Sequence, residues 1–457
     1  MKFMSKKEKL QKAIAVSMMM TNIFCTPVWA APVEGTPGAN GAAIVQNDDI
    51  SAGLNATYTA DNGTAGGDAP AGGIGGAGGN GGSVTINDTV TGTIGGAIEI
   101  TATGGDGAVG GIAKTDYTYD GPHGDSGAGG DSKVAVAVTG SGITTVNDIT
   151  VTAKAGSGST VDVYTINQSE GANGDKGGSA AAIGLQAAGR NTLVTITAAD
   201  VTISAEGGNG GFGVSSYSNG GVGGMGGAAE AYGLKAATNS LDLAINDIQV
   251  TASGGKGGKG GNGGDNGNIG DGNAAGVGGK AAVWGIEAVN SDIGGIVNSI
   301  SAVAVGGAGE RGGASSSDGH VGVSSAGGVG MAYAVSSDYS TVDLTVTTAI
   351  TAAATGGAGG NGAYGAGADS RKGVGAAGGA GRGLADRGKR HQGRAHPDHA
   401  DAGANRDRRG ALWAGRGRGT RRDLRAGHGD RRSDRRGWRD TGADPGERVL
   451  DAGDLHR

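Results

Sequence analysis

The amino-acid sequence predicts an all-β protein: a parallel β-helix or β-solenoid of about 50-residue repeats with glycine-rich loops, ending in a disordered tail. Three observations point there. With 103 glycines, 7 prolines and 4% aromatic residues in 457, the chain has too few large side chains for ordinary globular cores. Strand-like segments run into glycine tracts at a steady interval. Within each unit the apolar residues alternate with a period of two, as one buried face of a strand requires.

The chain begins MKFMSKKEKLQKAIAVSMMMTNIFCTPVWA, with lysines 2, 6, 7, 9 and 12 ahead of a short apolar run. Val28 and Ala30 occupy the −3 and −1 positions of a cleavage site. Residues 1–30 therefore read as a secretory signal peptide, which makes the export machinery an expected partner. The apolar run is too short and too polar for a membrane anchor, which needs roughly 18 or more apolar residues. Cys25, the only cysteine, lies inside this segment and lacks the small preceding residue of a lipoprotein signal. The mature chain is expected to have neither disulfides nor thiolate metal sites. Residues 31–82 form a low-complexity N-terminal or cap region.

The repeats occupy residues 83–381. Strand-to-glycine junctions fall at Gly104, Gly156, Gly207, Gly254, Gly306 and Gly356, at intervals of 52, 51, 47, 52 and 50 residues. A second marker, AAIGLQAAGRN, AYGLKAATNS, AVWGIEAVNS and MAYAVSSDYS, centres on Gly184, Gly233, Gly285 and Ala334, at intervals of 49, 52 and 49. Two independent markers with one period define a repeat of one coil. Each unit offers three strands of four to six residues, with pairs such as Asn246-Asp247 expected at the corners. One unit cannot enclose a core; stacked units spaced about 4.8 Å apart can. The glycine tracts admit two readings: solvated flexible loops, since they have little to bury, or a stacked array of extended helices like polyproline II.

No catalytic constellation emerges. Lys256, Lys259 and Lys280 follow glycines, but none is followed by the Ser or Thr of a phosphate-binding loop. GGDNGNIGDGN resembles a calcium-binding nonapeptide through Asp265 and Asp271, but the next nonapeptide is missing. No cofactor is expected, calcium being the alternative. His123 and His320 stand almost two hundred residues apart and read as loop residues. Glu99, Asp200, Asp247 and Asp343 read as solvated strand exteriors and turns. Their alternative is the carboxylate set of a β-helical polysaccharide-active enzyme. Tyr232, Trp284 and Tyr333 recur at one repeat position and are expected to form an aromatic ladder, either packing or stacking on carbohydrate.

The lysine-rich leader followed by ITVTA, VTISAEGGNGG and IQVTASGGKGG units resembles the passenger region of bacterial autotransporter adhesins, over residues 1–381. The tracts GGIGGAGGNGG and TGGAGGNG also resemble the glycine-rich repeats of mycobacterial cell-surface proteins. The autotransporter resemblance implies a noncatalytic passenger outside the cell, a host or cell-surface ligand, and a C-terminal outer-membrane barrel. After residue 381 the alternating ten-residue strands of such a barrel are not found. The sequence as written would therefore be periplasmic or secreted.

Residues 382–457 depart from the body. Residues 1–381 carry 17 Lys and Arg against 31 Asp and Glu; the tail carries 20 against 12. As a basic arm it would bind nucleic acid or another polyanion, but twelve interspersed carboxylates and export argue against a nucleic-acid partner. Dropping the first base of each codon turns Asp followed by a CGN arginine into Thr or Ile, and lets Arg-Arg become Gly. DRRSDRRGWRD can then read TGGATGGAGG, the glycine signature of the body. Leu384-Ala385 can encode tryptophan where the next aromatic marker is due, about 50 residues after Ala334. The tail reads as a frameshift product, with the shift near residues 378–383.

Overall fold

The structure is a computed structural model. It describes residues 34–388, apart from 51–52, 71–72, 92–93, 95, 112–123, 140–141, 160–170, 189–192, 217, 265–269, 316–318 and 364–374. The expected signal peptide and nearly all of the arginine-rich tail lie outside the described residues.

In chain order the strands are β1 (Ile44–Gln46), β2 (Asp49–Ile50), β3 (Leu54–Thr59), β4 (Val84–Val90), β5 (Ile98–Thr103), β6 (Ser132–Thr139), β7 (Gly142–Lys154) and β8 (Ala180–Ala188). There follow β9 (Leu193–Glu206), β10 (Ala229–Ala237), β11 (Ser240–Ser253), β12 (Ala281–Val289), β13 (Asp292–Val305), β14 (Gly330–Asp338), β15 (Thr341–Thr355) and β16 (Gly381–Gly388). From β3 onward they alternate between two parallel sheets. One has the order β1-β4-β6-β8-β10-β12-β14-β16, with β2 on β4; the other runs β3-β5-β7-β9-β11-β13-β15. Each coil gives one strand to each sheet, which is the predicted parallel β-solenoid.

The core lies between the sheets. In the second sheet Val201, Ile248 and Ile300 are in register, followed two residues later by Ile203, Val250 and Ala302. The first sheet contributes Leu185, Leu234 and Ile286 to the same buried cluster. Each fully buried aliphatic side chain contributes about 1.5–3 kcal/mol, so stacking coils replaces the missing globular core. At the C-terminal edge this protection ends: Ile350 of β15 is 42% exposed, where its partner Ile300 is 1% exposed.

The Asn-Asp pairs act differently from expectation. Asn246-Asp247 ends no strand but lies within β11. Leu241, Leu243 and Ile245 face inward before it, and Ile248, Val250 and Ala252 after it. The pair inserts one extra residue between two inward-facing runs and bends a continuous strand, so the three expected strands are two. Its polar groups tie the coils: Asn246 Nδ2 donates to Asp200 Oδ1 at 2.9 Å, and Asn298 Nδ2 to Asp247 Oδ1 at 3.1 Å. The sharper corner joins first-sheet to second-sheet strands through Thr238, Asn290 and Tyr339, all with positive φ (62°, 47° and 50°). A β-branched residue is strained there.

The glycine tracts form the stacked array. Each outgoing segment leaves a second-sheet strand, and each returning segment enters the next first-sheet strand, so the two make a two-layer bundle. In residues 207–211 three kinds of backbone donor repeat every three residues, as a polyproline-II-like helix presents them. Gly207 and Gly210 donate to Ser253 and Lys256 oxygens of the next outgoing segment. Gly208 and Gly211 donate across the layers to Gly178 and Asp175. The third donor, Asn209 N–H, reaches Ser157 Oγ of the preceding coil at 3.3 Å. This last contact belongs to a ladder in which Asn62, Asp106, Ser157 and Asn209 side chains each accept the next coil's amide, ending at Lys256. Ordering these segments is costly for glycine, and the loss is offset by satisfying two donors per turn through backbone carbonyls and, at the ladder positions, the third as well.

Glycine is required for contact distance. A Cβ on Gly258 would sit 1.8 Å from the Gly211 carbonyl oxygen, and one on Gly224 1.9 Å from that of Asp175. Backbone lies on the other side of each contact, so nothing flexible can yield.

Strand β16 crosses the expected boundary at residue 381. It pairs with β14 through residue 388, with Leu384 opposite Tyr333. A parallel ladder is carried by backbone amides, so the small residues Gly381 and Gly383 can extend it after the composition has changed.

Candidate functional surface

The predicted aromatic ladder is present on the outer face of the first sheet. In register are Ala135, Ile183, Tyr232, Trp284, Tyr333 and Leu384. The Tyr232 and Trp284 rings stack at 4.4 Å between centroids and 3° between planes; Trp284 and Tyr333 lie 5.9 Å apart at 25°. The glycine that follows the ladder position has a local cause. A Cβ on Gly233 would lie 2.5 Å from Gly285 O and 2.8 Å from Ile248 Cγ2. Glycine relieves that crowding where the backbone turns inward, keeping Tyr232 outside and Leu234 in the core; in a later coil Ala334 takes the same position.

Charge surrounds the ladder. Lys235 Nζ lies 4.4 Å from the Tyr232 ring centroid and 3.3 Å from Glu287 Oε2. The cation–π contact is worth about 0.5–1 kcal/mol and the partly exposed ion pair about 0–1 kcal/mol. Burial, reinforced by Glu230 and Glu287, pushes the Tyr232 hydroxyl well above its ordinary range, so it stays neutral at physiological pH. Tyr232 and Tyr333 are buried, at 9% and 4% exposure. Trp284 stacks on both, so its two faces are covered. A sugar that stacks needs a free ring face; this arrangement offers edges, and the geometry is that of packing between coils.

The remaining sequence candidates do not converge. Asp265 and His123 lie outside the described residues. Asp271 Oδ1 accepts the His320 N–H at 2.6 Å, which places both in a bundle ladder. Asp200 and Asp247 are adjacent in register and bridged by Asn246, whereas Glu99 accepts from Asn55 Nδ2 and Asp343 is in register with Gly294. Among the described residues no group of three His, Cys, Asp or Glu side chains could hold a metal. Lys256, Lys259 and Lys280 lie on the bundle or at its exit.

The two outer faces of the bundle differ. The returning layer exposes Val222, Met225, Val277 and Val323, at 39%, 54%, 42% and 71%. The outgoing layer carries Asn209, Phe212, Lys256, Lys259, Asn262 and Arg311. Sequence reasoning missed the meeting of Phe212, Lys259 and Arg311; its only signal was their spacing of 47 and 52 residues, the repeat interval itself.

No protein-family model matches the chain, and no curated protein does. Among solved structures, a springtail antifreeze protein from Granisotoma rainieri is similar at 22% identity, over 48% of this chain and 95% of that one, with a TM-score of 0.19. That structure is described as a nine polyproline type II helical bundle whose crystal waters match the ice lattice. At this score the likeness carries no argument about the present chain.

Proposed function

We propose that the chain is an exported, noncatalytic surface protein, an adhesin-like autotransporter passenger that presents a repetitive β-solenoid surface to a cell-surface ligand. The observation that carries this reading is the register of outward side chains across coils. Phe212, Lys259 and Arg311 form one outward column on the bundle, while the Tyr232, Trp284 and Tyr333 column packs successive coils in register. A stack that repeats outward groups at about 4.8 Å suits contact with an extended or repetitive partner. The leader expected at residues 1–30 supports export, and the described carboxylates are dispersed along the coils.

Two measurements test the reading. Expressed in a Gram-negative host, the chain should lose its leader, and mass spectrometry should find a mature N-terminus at Ala31. Beads coated with the purified chain should adhere to host cells, whereas uncoated beads should not. A cytoplasmic product with an intact leader refutes export, and coated beads that fail to adhere refute the adhesive role.

A further inference from the structure

The outgoing face of the bundle carries a small donor-lined depression. Phe212, Lys259 and Arg311 occupy one position of three successive coils, since Gly213 N–H donates to Lys259 O at 2.9 Å and Gly260 N–H to Arg311 O at 3.3 Å. Between them lies a pocket of about 30 Å³ lined by Phe212, Ser215, Lys259, Asn262 and Arg311, with Gly213 and Gly260 at its floor. Lys259 Nζ stands 5.9 Å from the Phe212 ring centroid. Asn262 Oδ1 is engaged by Ala314 N–H at 2.8 Å, which leaves its NH2 as the remaining side-chain group.

Two features make this a place for an anion. Lysine and arginine are stacked one coil apart, about 4.8 Å in backbone spacing, and among the described residues neither forms an ion pair; nor does Lys256. Like charges on neighbouring coils repel, and a bound anion removes the repulsion. Lys259, Arg311 and the Asn262 NH2 are also donors only. The pocket, of about 30 Å³, is a small seat for a charged group rather than for a whole sugar ring. Lys256 stands one turn before Lys259, about 9 Å along a polyproline-II-like segment. A polymer with recurring charges reaches both sites; a single small anion does not.

We propose that this face binds an acidic polysaccharide, one carboxylate or sulfate seated between Lys259 and Arg311 and the adjoining ring lying against Phe212. Nucleic acid fits less well, because single-strand binders stack successive bases on several aromatic side chains, and among the described residues this face offers one, Phe212. The inference rests on the reading of the solenoid as a contact surface and names the ligand class for it.

The test uses the purified full chain with heparin, hyaluronate, neutral dextran and single-stranded DNA as probes, measured by calorimetry at two salt concentrations. The tail is basic, so two variants are compared: Lys259→Gln with Arg311→Gln, and Arg431, Arg432, Arg435 and Arg436 all changed to Gln. Circular dichroism and the single Lys259→Gln variant control for folding. The pocket pair should weaken binding by about tenfold or more, equivalent to about 1.4 kcal/mol, and the tail variant should change it little. Phe212→Leu should weaken the acidic glycan and leave its salt dependence unchanged. Hyaluronate binding assigns carboxylate recognition, and heparin binding without hyaluronate assigns sulfate. The proposal is overturned if neither glycan binds, if only the tail variant loses binding, or if DNA binds as tightly through the same pair. Because adhesion is read separately with coated beads, a negative glycan-binding result with beads that still adhere removes this inference alone.

Discussion

The sheets and the glycine bundle stack the same coils by opposite means. In the sheets, side chains carry the packing: Val201, Ile248 and Ile300 fill a column that water cannot enter. In the bundle almost nothing is available to bury, and backbone amides supply the cohesion, two per turn to backbone carbonyls and a third, at the ladder positions, to Asn, Asp or Ser side chains. The two regions should therefore fail under opposite changes, the sheets when a methyl group is removed and the bundle when one is added.

The largest expected effect comes from the sheets. Ile248→Ala should cost about 2–5 kcal/mol, a lost transfer term plus a cavity, read as a lower urea midpoint. Gly258→Ala should cost about 3 kcal/mol through overpacking, because its Cβ would meet the Gly211 carbonyl at 1.8 Å. Met225→Ala, on the exposed face of the same bundle, should stay within about 0.5 kcal/mol. Equal effects at Gly258 and Met225 would show that the tracts are not packed against each other.

Smaller effects sharpen the comparison. Asn209→Ala removes the acceptor for Lys256 N–H and should cost about 1 kcal/mol. Thr238→Gly relieves positive φ at a β-branched residue and should raise stability by about 1 kcal/mol. Asp88 gives a pH signature. Its carboxyl is fully buried, and burial raises its pKa despite the Asp48 N–H donated to Oδ1 at 2.9 Å. The folded value lies above the unfolded one, so the neutral form favours folding. Stability is then lost as pH rises from the unfolded value, about 3.9, through the folded one. Urea midpoints should fall from pH 4 toward neutrality more steeply in the native chain than in Asp88→Asn.

Much of this architecture was legible in sequence. Glycine junctions and the aromatic-glycine marker gave the coil, and the ladder of Tyr232, Trp284 and Tyr333 follows from that period alone. The packing of the tracts was not decided, because it depends on hydrogen bonds between segments some 50 residues apart. A clue existed in Asn62, Asp106, Ser157 and Asn209, which hold corresponding ladder positions, but the unequal intervals obscured their alignment. The same irregularity hid the meeting of Lys259 with Arg311. Asn246-Asp247 lies inside β11 rather than at the end of a strand, because polar residues between two apolar runs look alike in sequence whether a strand ends or continues. Leu384 is the informative case in the tail. It stands opposite Tyr333, at the position where a one-base shift can encode tryptophan. We hold to the frameshift reading, and one read of the gene through the codons for residues 378–383 tests it. Continued repeats in the shifted frame support it, and early stops refute it.

The central claim is that the glycine tracts are a packed second layer of the solenoid. Amide hydrogen exchange on the purified chain tests it most directly. Protection at Gly208, Gly211, Gly224 and Gly227 should approach that of the β9 and β11 amides, because those N–H groups are donated across the bundle. Exchange of these glycines at the rate of an unstructured chain, with the strands still protected, would contradict it.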